Sequence, residues 1–181
     1  MKTLKTSEAM PKSTLEILIV CTGNICRSPM AEGLLRHLLP PDVKDQVTVR
    51  SAGTQGLHGH QAAPLAIEAI AQWGVDISAH RARMLTRDLV RQADLILAME
   101  KDHLEAVLGM SLFSRPNAKL LTHFGPPYLE PEIADPYGQD LAAYQECLRI
   151  MHPCINGVIR WLTSEDPRLD EDDLVNIMPP M

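Results

Sequence analysis

Val20-Cys21-Thr22-Gly23-Asn24-Ile25-Cys26-Arg27-Ser28-Pro29 closes an apolar run and opens an amphipathic segment. Ahead of it, Leu15 to Val20 (Leu-Glu-Ile-Leu-Ile-Val) is a short β-branched run of the kind that forms a central strand buried on both faces. Behind it, Pro29 suits a first helical turn, and Met30, Leu34, Leu35 and Leu38 recur at helical spacing up to Pro40-Pro41. The stretch reads as strand, tight loop and helix start. Cys21 and Arg27, with five residues between them, can both face one bound oxyanion, the first as nucleophile and the second as a planar, two-pronged clamp.

The same alternation continues downstream. Val47 to Arg50 reads as a second strand, Gly53 to Gly59 as a flexible loop, and Pro64 to Trp73 as a helix stopped by Gly74. A short helix follows Leu85-Thr86-Arg87-Asp88, Ala93 to Met99 is a third strand, Lys101 to Leu108 a helix, and Lys119 to Leu121 a fourth strand. From Thr122 to Gly138 no apolar period survives, and Pro126, Pro127, Pro131 and Pro136 stiffen a long loop of the sort that is usually functional. Leu141, Tyr144, Leu148, Met151, Ile155, Val158 and Leu162 then give one apolar stripe on a last helix, which Pro153 is expected to kink. The expected fold is α/β: a doubly wound, four-stranded parallel sheet in the order 2-1-3-4 with helices on both faces. Strand one then lies at the topological switch point, where such sheets bind ligands at their carboxyl edge.

A phosphate monoester is a dianion, and a loop whose N–H groups converge at a helix N-terminus can hold it. Gly23 and Asn24 are residue types that accept the positive φ such a loop needs. Thr22, Ile25 and Cys26 complete the loop, and Ser28 can donate a hydroxyl hydrogen bond to the thiolate. The positive surroundings are expected to lower the pKa of Cys21. Protonating the leaving oxygen requires an acid from elsewhere, for which Asp135 on the proline-rich loop is the candidate, with Tyr137 able to wall a slot for a flat aromatic group.

The chain has 181 residues, 45% of them apolar and 22% charged, which suits one soluble domain with a sizeable core. Five of its six net negative charges fall within 164–181, where six acids face Arg168 alone. The expected organisation is an N-terminal arm over 1–14, a catalytic domain over 15–163 and an acidic tail over 164–181. No basic surface suggests nucleic acid, and no apolar run is long enough to span a bilayer. Four cysteines without a secretory leader point to a reducing cytoplasm. His58 and His60 have no third ligand nearby, so no metal and no cofactor is expected.

The ten-residue cradle, followed far downstream by Asp135-Pro136-Tyr137, resembles the low-molecular-weight protein tyrosine phosphatase family. The resemblance extends from about Leu15 to Leu162 and includes Ser51-Ala52-Gly53-Thr54 and Ser78-Ala79-His80-Arg81-Ala82-Arg83. It implies Cys21 as nucleophile, Arg27 as phosphate clamp and Asp135 as general acid and then base, without a metal. It also implies that Asn24, Ser28, Ser51 and His80 hydrogen-bond to hold the loop's shape. The chain departs from the family at Gly59-His60-Gln61-Ala62-Ala63-Pro64, where Gly-x-Pro-Ala-Asp-Pro is common. Leu57 stands where animal members carry a large aromatic, and in this the chain resembles bacterial members paired with tyrosine kinases of capsule and exopolysaccharide assembly. A phosphotyrosine protein, such as a kinase of that kind, is the implied partner; oligomeric state is left open.

Two related chemistries use a similar cradle. Arsenate reductases relay a disulfide through further cysteines, and Cys147 and Cys154 lie about 10 Å apart along one helix, too far to pair unless it unwinds. Protein-arginine phosphatases carry threonine at the position of Ile25 and phenylalanine at that of Tyr137. Cys26, in the same loop as Cys21, either packs or captures an oxidised Cys21 as a disulfide.

Overall fold

The computed structural model describes residues 14–111 and 117–164. Except for Thr14 and Ser164, the expected arm and acidic tail lie outside them.

Four parallel strands, β1 (Leu15–Cys21), β2 (Val47–Gly53), β3 (Leu95–Ala98) and β4 (Ala118–Leu120), form a sheet in the order β2-β1-β3-β4. Alternation along β1 explains the two covered faces. Ile17, Ile19 and Cys21 point into one core with α1 (Arg27–Leu38), α3 (Pro64–Ala71) and α6 (Leu141–Thr163). Leu18 and Val20 point into a second, smaller core with Val90 of α4 (Arg87–Gln92) and Leu104 and Val107 of α5 (Lys101–Met110). The doubly wound sheet, its strand order and its helices on both faces match the sequence expectation.

The differences are local. β1 carries Cys21 as its last residue, paired in register with Gly53, and β2 runs three residues beyond Arg50 because Ser51, Ala52 and Gly53 still match β1. The element α2 (Pro41–Lys44), a single turn, was not expected; Pro41 at its first position and Asp42 in its first turn suit a helix start. α3 ends at Ala71, ahead of Gly74 at φ 74°. A 3-10 turn, Leu121–Phe124, interrupts the long loop at its start. α6 continues through Pro153 as one helix, so the proline removes its own N–H from the ladder without ending the element. Its Gly157 lies so close to the 3-10 turn that a Cβ there would overlap the Phe124 carbonyl oxygen.

The loop after that turn is tied down where it matters for the site. Ile133 is fully buried, and its N–H bonds the Met99 carbonyl at 3.0 Å, just beyond the end of β3. This anchor holds Asp135 at the carboxyl edge of the sheet.

Candidate active site

Cys21, Thr22, Gly23, Ile25, Cys26, Leu57, Asp135 and Tyr137 line a single cleft of about 200 Å³, with Gln55 beside them. Three separated parts of the chain meet there: the cradle, the loop after β2 and the proline-rich loop. Leu57 and Tyr137 remain 41% and 65% exposed, as rim residues that meet an incoming group would be. Asn24, Arg27, Ser28 and Ser51 are buried behind the cleft, and His80 is partly buried.

Asn24 is the hub of that buried layer. It is the only non-glycine residue at positive φ (55°) among those described, whereas Gly23 needs no such conformation. The two hydrogens of its Nδ2 go to Ser28 Oγ and Ser51 Oγ, each at 2.8 Å. Its Oδ1 accepts the Arg83 N–H at 2.9 Å, and its backbone oxygen accepts His80 Nε2–H at 2.8 Å. Burial lowers the His80 pKa, against the pull of the Asn24 carbonyl it donates to. Because Ser51 Oγ already accepts from Asn24, its own proton goes to Glu32 Oε2 at 2.5 Å, and Arg36 pairs with the other Glu32 oxygen at 2.9 Å. By the same reasoning Ser28 is left with a proton for Cys21 Sγ, 2.9 Å away. Hydrogen bonds thus run outward from the Asn24 amide in two directions, through Ser51 to Glu32 and through Ser28 to the nucleophile. Gly53, opposite Cys21 in the sheet, allows the close approach: a Cβ there would overlap the Thr22 carbonyl and press on Asn24 N at 2.9 Å.

Arg27 is 1% exposed and ringed by acceptors. Nη1 donates to the Ile133 carbonyl at 2.8 Å and pairs with Glu100 Oε1 at 2.9 Å. Nη2 pairs with Asp135 Oδ2 at 2.6 Å and lies 3.4 Å from Thr22 Oγ1. Nε is a buried donor with no partner among the described residues, a position an oxyanion could satisfy.

The expected lowering of the Cys21 pKa is not met in this state. Burial pushes the thiol up, and the Ser28 hydroxyl and N–H, Arg27 and the Asn24 backbone pull it back only in part. The physical reason is the depth of the sulfur: Cys21 is buried at the end of β1, and taking a thiolate out of water outweighs the donors and the Arg27 charge around it. Burial likewise raises the Cys26 thiol to about 11; its sulfur lies 3.5 Å from the hydroxyl of Tyr144, on α6.

Sequence reasoning missed Glu32, Glu100, His103 and Tyr144. Glu100 and His103 open α5 three residues apart, a spacing that marks a helix start, but nothing in it shows that the helix begins against the cradle. Tyr144, expected on the apolar stripe of the last helix, does pack in the core; what the stripe did not show is that its hydroxyl lies 3.5 Å from the Cys26 sulfur.

Residues 16–167 match the family model for low molecular weight phosphotyrosine protein phosphatase. The protein named probable low molecular weight protein-tyrosine-phosphatase EpsP, from Ralstonia nicotianae, is 44% identical over 147 residues, covering 81% of this chain and 92% of its own. The tyrosine phosphatase Wzb from Escherichia coli, solved with sulphate, superposes with a TM-score of 0.72 at 33% identity, covering 81% of this chain and 97% of its own. The YwlE arginine phosphatase from Geobacillus stearothermophilus shares the fold, with a TM-score of 0.74 at 30% identity over 83% of this chain and 94% of its own. With its cradle, sheet order and these matches taken together, the chain belongs to the low molecular weight phosphotyrosine protein phosphatase family.

Proposed function

We propose that this protein hydrolyses phosphotyrosine in proteins through a phosphocysteine intermediate on Cys21. The observation that carries the reading is the meeting of Cys21, Asp135, Leu57 and Tyr137 in one cleft, with Arg27 buried behind it. The substrate phosphate is held by loop N–H groups and by Arg27, whose free Nε–H supports that role. Tyr137 and Leu57 flank the aromatic ring. Cys21 attacks phosphorus in line while Asp135 gives its proton to the departing tyrosine oxygen; water then attacks the phosphocysteine with Asp135 as base. Ser28 donates to the sulfur that leaves in the second step. Positioning and charge stabilisation suffice for such a transfer, and the scheme uses no metal or cofactor.

The Arg27–Asp135 contact gives this scheme an order. Reaction needs a thiolate on Cys21 and a proton on Asp135, so the proton must sit on the carboxyl and not on the sulfur. When an arriving phosphate takes over Arg27 Nη2, Asp135 is released from that contact and can turn to the leaving oxygen.

Phosphotyrosine peptides assayed beside phosphoserine and phosphoarginine peptides test the reading. Phosphotyrosine is expected to be preferred, with activity abolished in Cys21→Ser; full activity in that variant would refute the mechanism. Preference for phosphoarginine would favour the chemistry of the structurally similar arginine phosphatase, against which Ile25 and Tyr137 argue. Thiol-dependent arsenate reduction exceeding phosphate hydrolysis would favour a redox enzyme. Against that, Cys147 and Cys154 are free thiols on a helix that does not unwind at Pro153. We further propose a bacterial tyrosine kinase of exopolysaccharide assembly as the substrate, a cytoplasmic setting, and a catalytic unit over 15–163. Among the described residues no helix is long and apolar enough to cross a membrane.

A further inference from the structure

Thr22 directly follows the nucleophile, and its hydroxyl oxygen sits between two nitrogens. His103, on α5, places Nε2 2.9 Å from it, and Arg27 Nη2 lies at 3.4 Å. The other nitrogen of His103 decides which way the first bond runs. Nδ1 accepts the backbone N–H of Glu100 at 3.2 Å, so it carries no proton. With Nδ1 unprotonated, the ring carries its N–H on Nε2 and donates to Thr22 Oγ1, the nearer of two acceptors, Glu100 Oε2 lying farther off at 3.4 Å; burial, and then the Arg27 charge, lower the pKa of the ring.

A hydroxyl has two lone pairs and one proton. Both lone pairs of Thr22 Oγ1 are engaged by nitrogen donors, and among the described residues its proton has no acceptor. Thr22 lines the same cleft as Cys21 and Asp135. A donor left over beside the nucleophile matches what a transferring phosphoryl group needs, because charge is spread over its equatorial oxygens.

We infer that Thr22 donates a hydrogen bond to a phosphoryl oxygen of the substrate, and that His103 is a positioning residue which turns the threonine hydroxyl into that donor. This deepens the phosphatase reading and rests on it. His103 never touches substrate; it acts by occupying the lone pair through which Thr22 would otherwise turn away from the cleft. Arg27 reinforces the arrangement from the second side, so the clamp and the hydroxyl address the same anion.

The test uses the full chain, kinetics on a phosphotyrosine peptide, inhibition by inorganic phosphate, and melting temperature as a control on folding. Thr22→Val keeps shape and removes the hydroxyl; it is expected to weaken phosphate inhibition and to lower kcat/KM by about tenfold or more, the usual scale for a hydrogen bond to a charged group. Thr22→Ser restores the donor and is expected to stay within about threefold of the parent, since it loses only a methyl group. His103→Phe is expected to reproduce the Thr22→Val loss, and the double variant to be no worse than either single one. Losses that multiply in the double variant would show His103 acting through α5 and not through Thr22, and would overturn its assigned role. Should His103→Phe lower the melting temperature, His103→Asn takes its place in the cycle. Thr22→Val that matches the parent in both phosphate inhibition and kcat/KM would overturn the donor role while leaving the phosphatase reading intact. A parent protein inactive on the peptide would sink that reading itself.

Discussion

Arg27 Nη2 and Asp135 Oδ2 are bonded across 2.6 Å, so the group proposed to hold phosphate and the group proposed to protonate the leaving oxygen are each other's partners before substrate arrives. Exchange of that partner is the event that the proposed scheme puts first.

Asp135→Asn separates the two roles. Its kcat on phosphotyrosine peptides is expected to fall by about 10²- to 10⁴-fold, the usual worth of a positioned proton donor. The loss should shrink for aryl phosphates whose phenolates leave without a proton. Inorganic phosphate should inhibit at least as well as before, since Arg27 no longer has a competing carboxylate. Weaker inhibition would count against partner exchange.

The Cys21 thiol reports on the same balance. Ser28→Ala removes the largest influence pulling its pKa down, so the pH profile of alkylation by iodoacetamide should shift to higher pH. Asp135→Asn leaves the Arg27 charge less compensated and should shift the profile the opposite way. Identical profiles in both variants would mean that neither contact governs the sulfur.

Cys26 and Cys21 open onto one cleft, and Cys26 is held as a thiol, its pKa pushed up to about 11. Mild peroxide converts the Cys21 thiolate to a sulfenic acid; attack by the Cys26 sulfur then releases water and leaves a disulfide. Mass spectrometry is expected to find the Cys21–Cys26 link in the parent and overoxidised Cys21 in Cys26→Ser. Overoxidised Cys21 as the sole product in the parent would reduce Cys26 to a packing residue.

Burial holds three further protons in place at alkaline pH. Cys26 and Cys154 are raised from 9.0 to about 11 and Cys147 to about 12. Between pH 9 and about 11 the unfolded chain releases thiol protons that the folded chain keeps, so this contribution to stability, complete below pH 9, is lost as pH rises. Melting temperature should decline through that window, and less steeply in Cys147→Ala than in the parent.

Gly157→Ala tests packing far from the chemistry. Its Cβ would enter the space of the Phe124 carbonyl, a backbone atom that cannot rotate aside, so a loss of about 1–3 kcal/mol or more in unfolding free energy is expected. An unchanged denaturation midpoint would mean that α6 and the 3-10 turn separate easily.

The strands and the cradle were readable in the sequence because they rest on local signals. A β-branched run, a loop rich in turn-tolerant residues and a helix opening at proline all lie within twenty residues of Cys21. Asn24, Ser28, Ser51 and His80 were expected to join, and they do. Glu32, Glu100, His103 and Tyr144 had no such signal: each acts through a neighbour that only the folded sheet supplies. The rise in the Cys21 thiol pKa was hidden for the same reason, since it comes from burial that only the packed sheet supplies. The strand ends at Ser51-Ala52-Gly53 were set by register with β1 and not by the small residues themselves.

The position of Cys21 as the last residue of β1 divides the site by tempo. That strand is bonded to a neighbour on either side up to Val20, and Cys21 itself pairs with Gly53, so its backbone is held in the centre of the sheet. Asp135 sits on a segment pinned near Ile133 and otherwise short of ladder bonds. In the proposed cycle the sulfur therefore stays on a fixed anvil, and the movement needed for Asp135 to change partners falls to the loop that holds it.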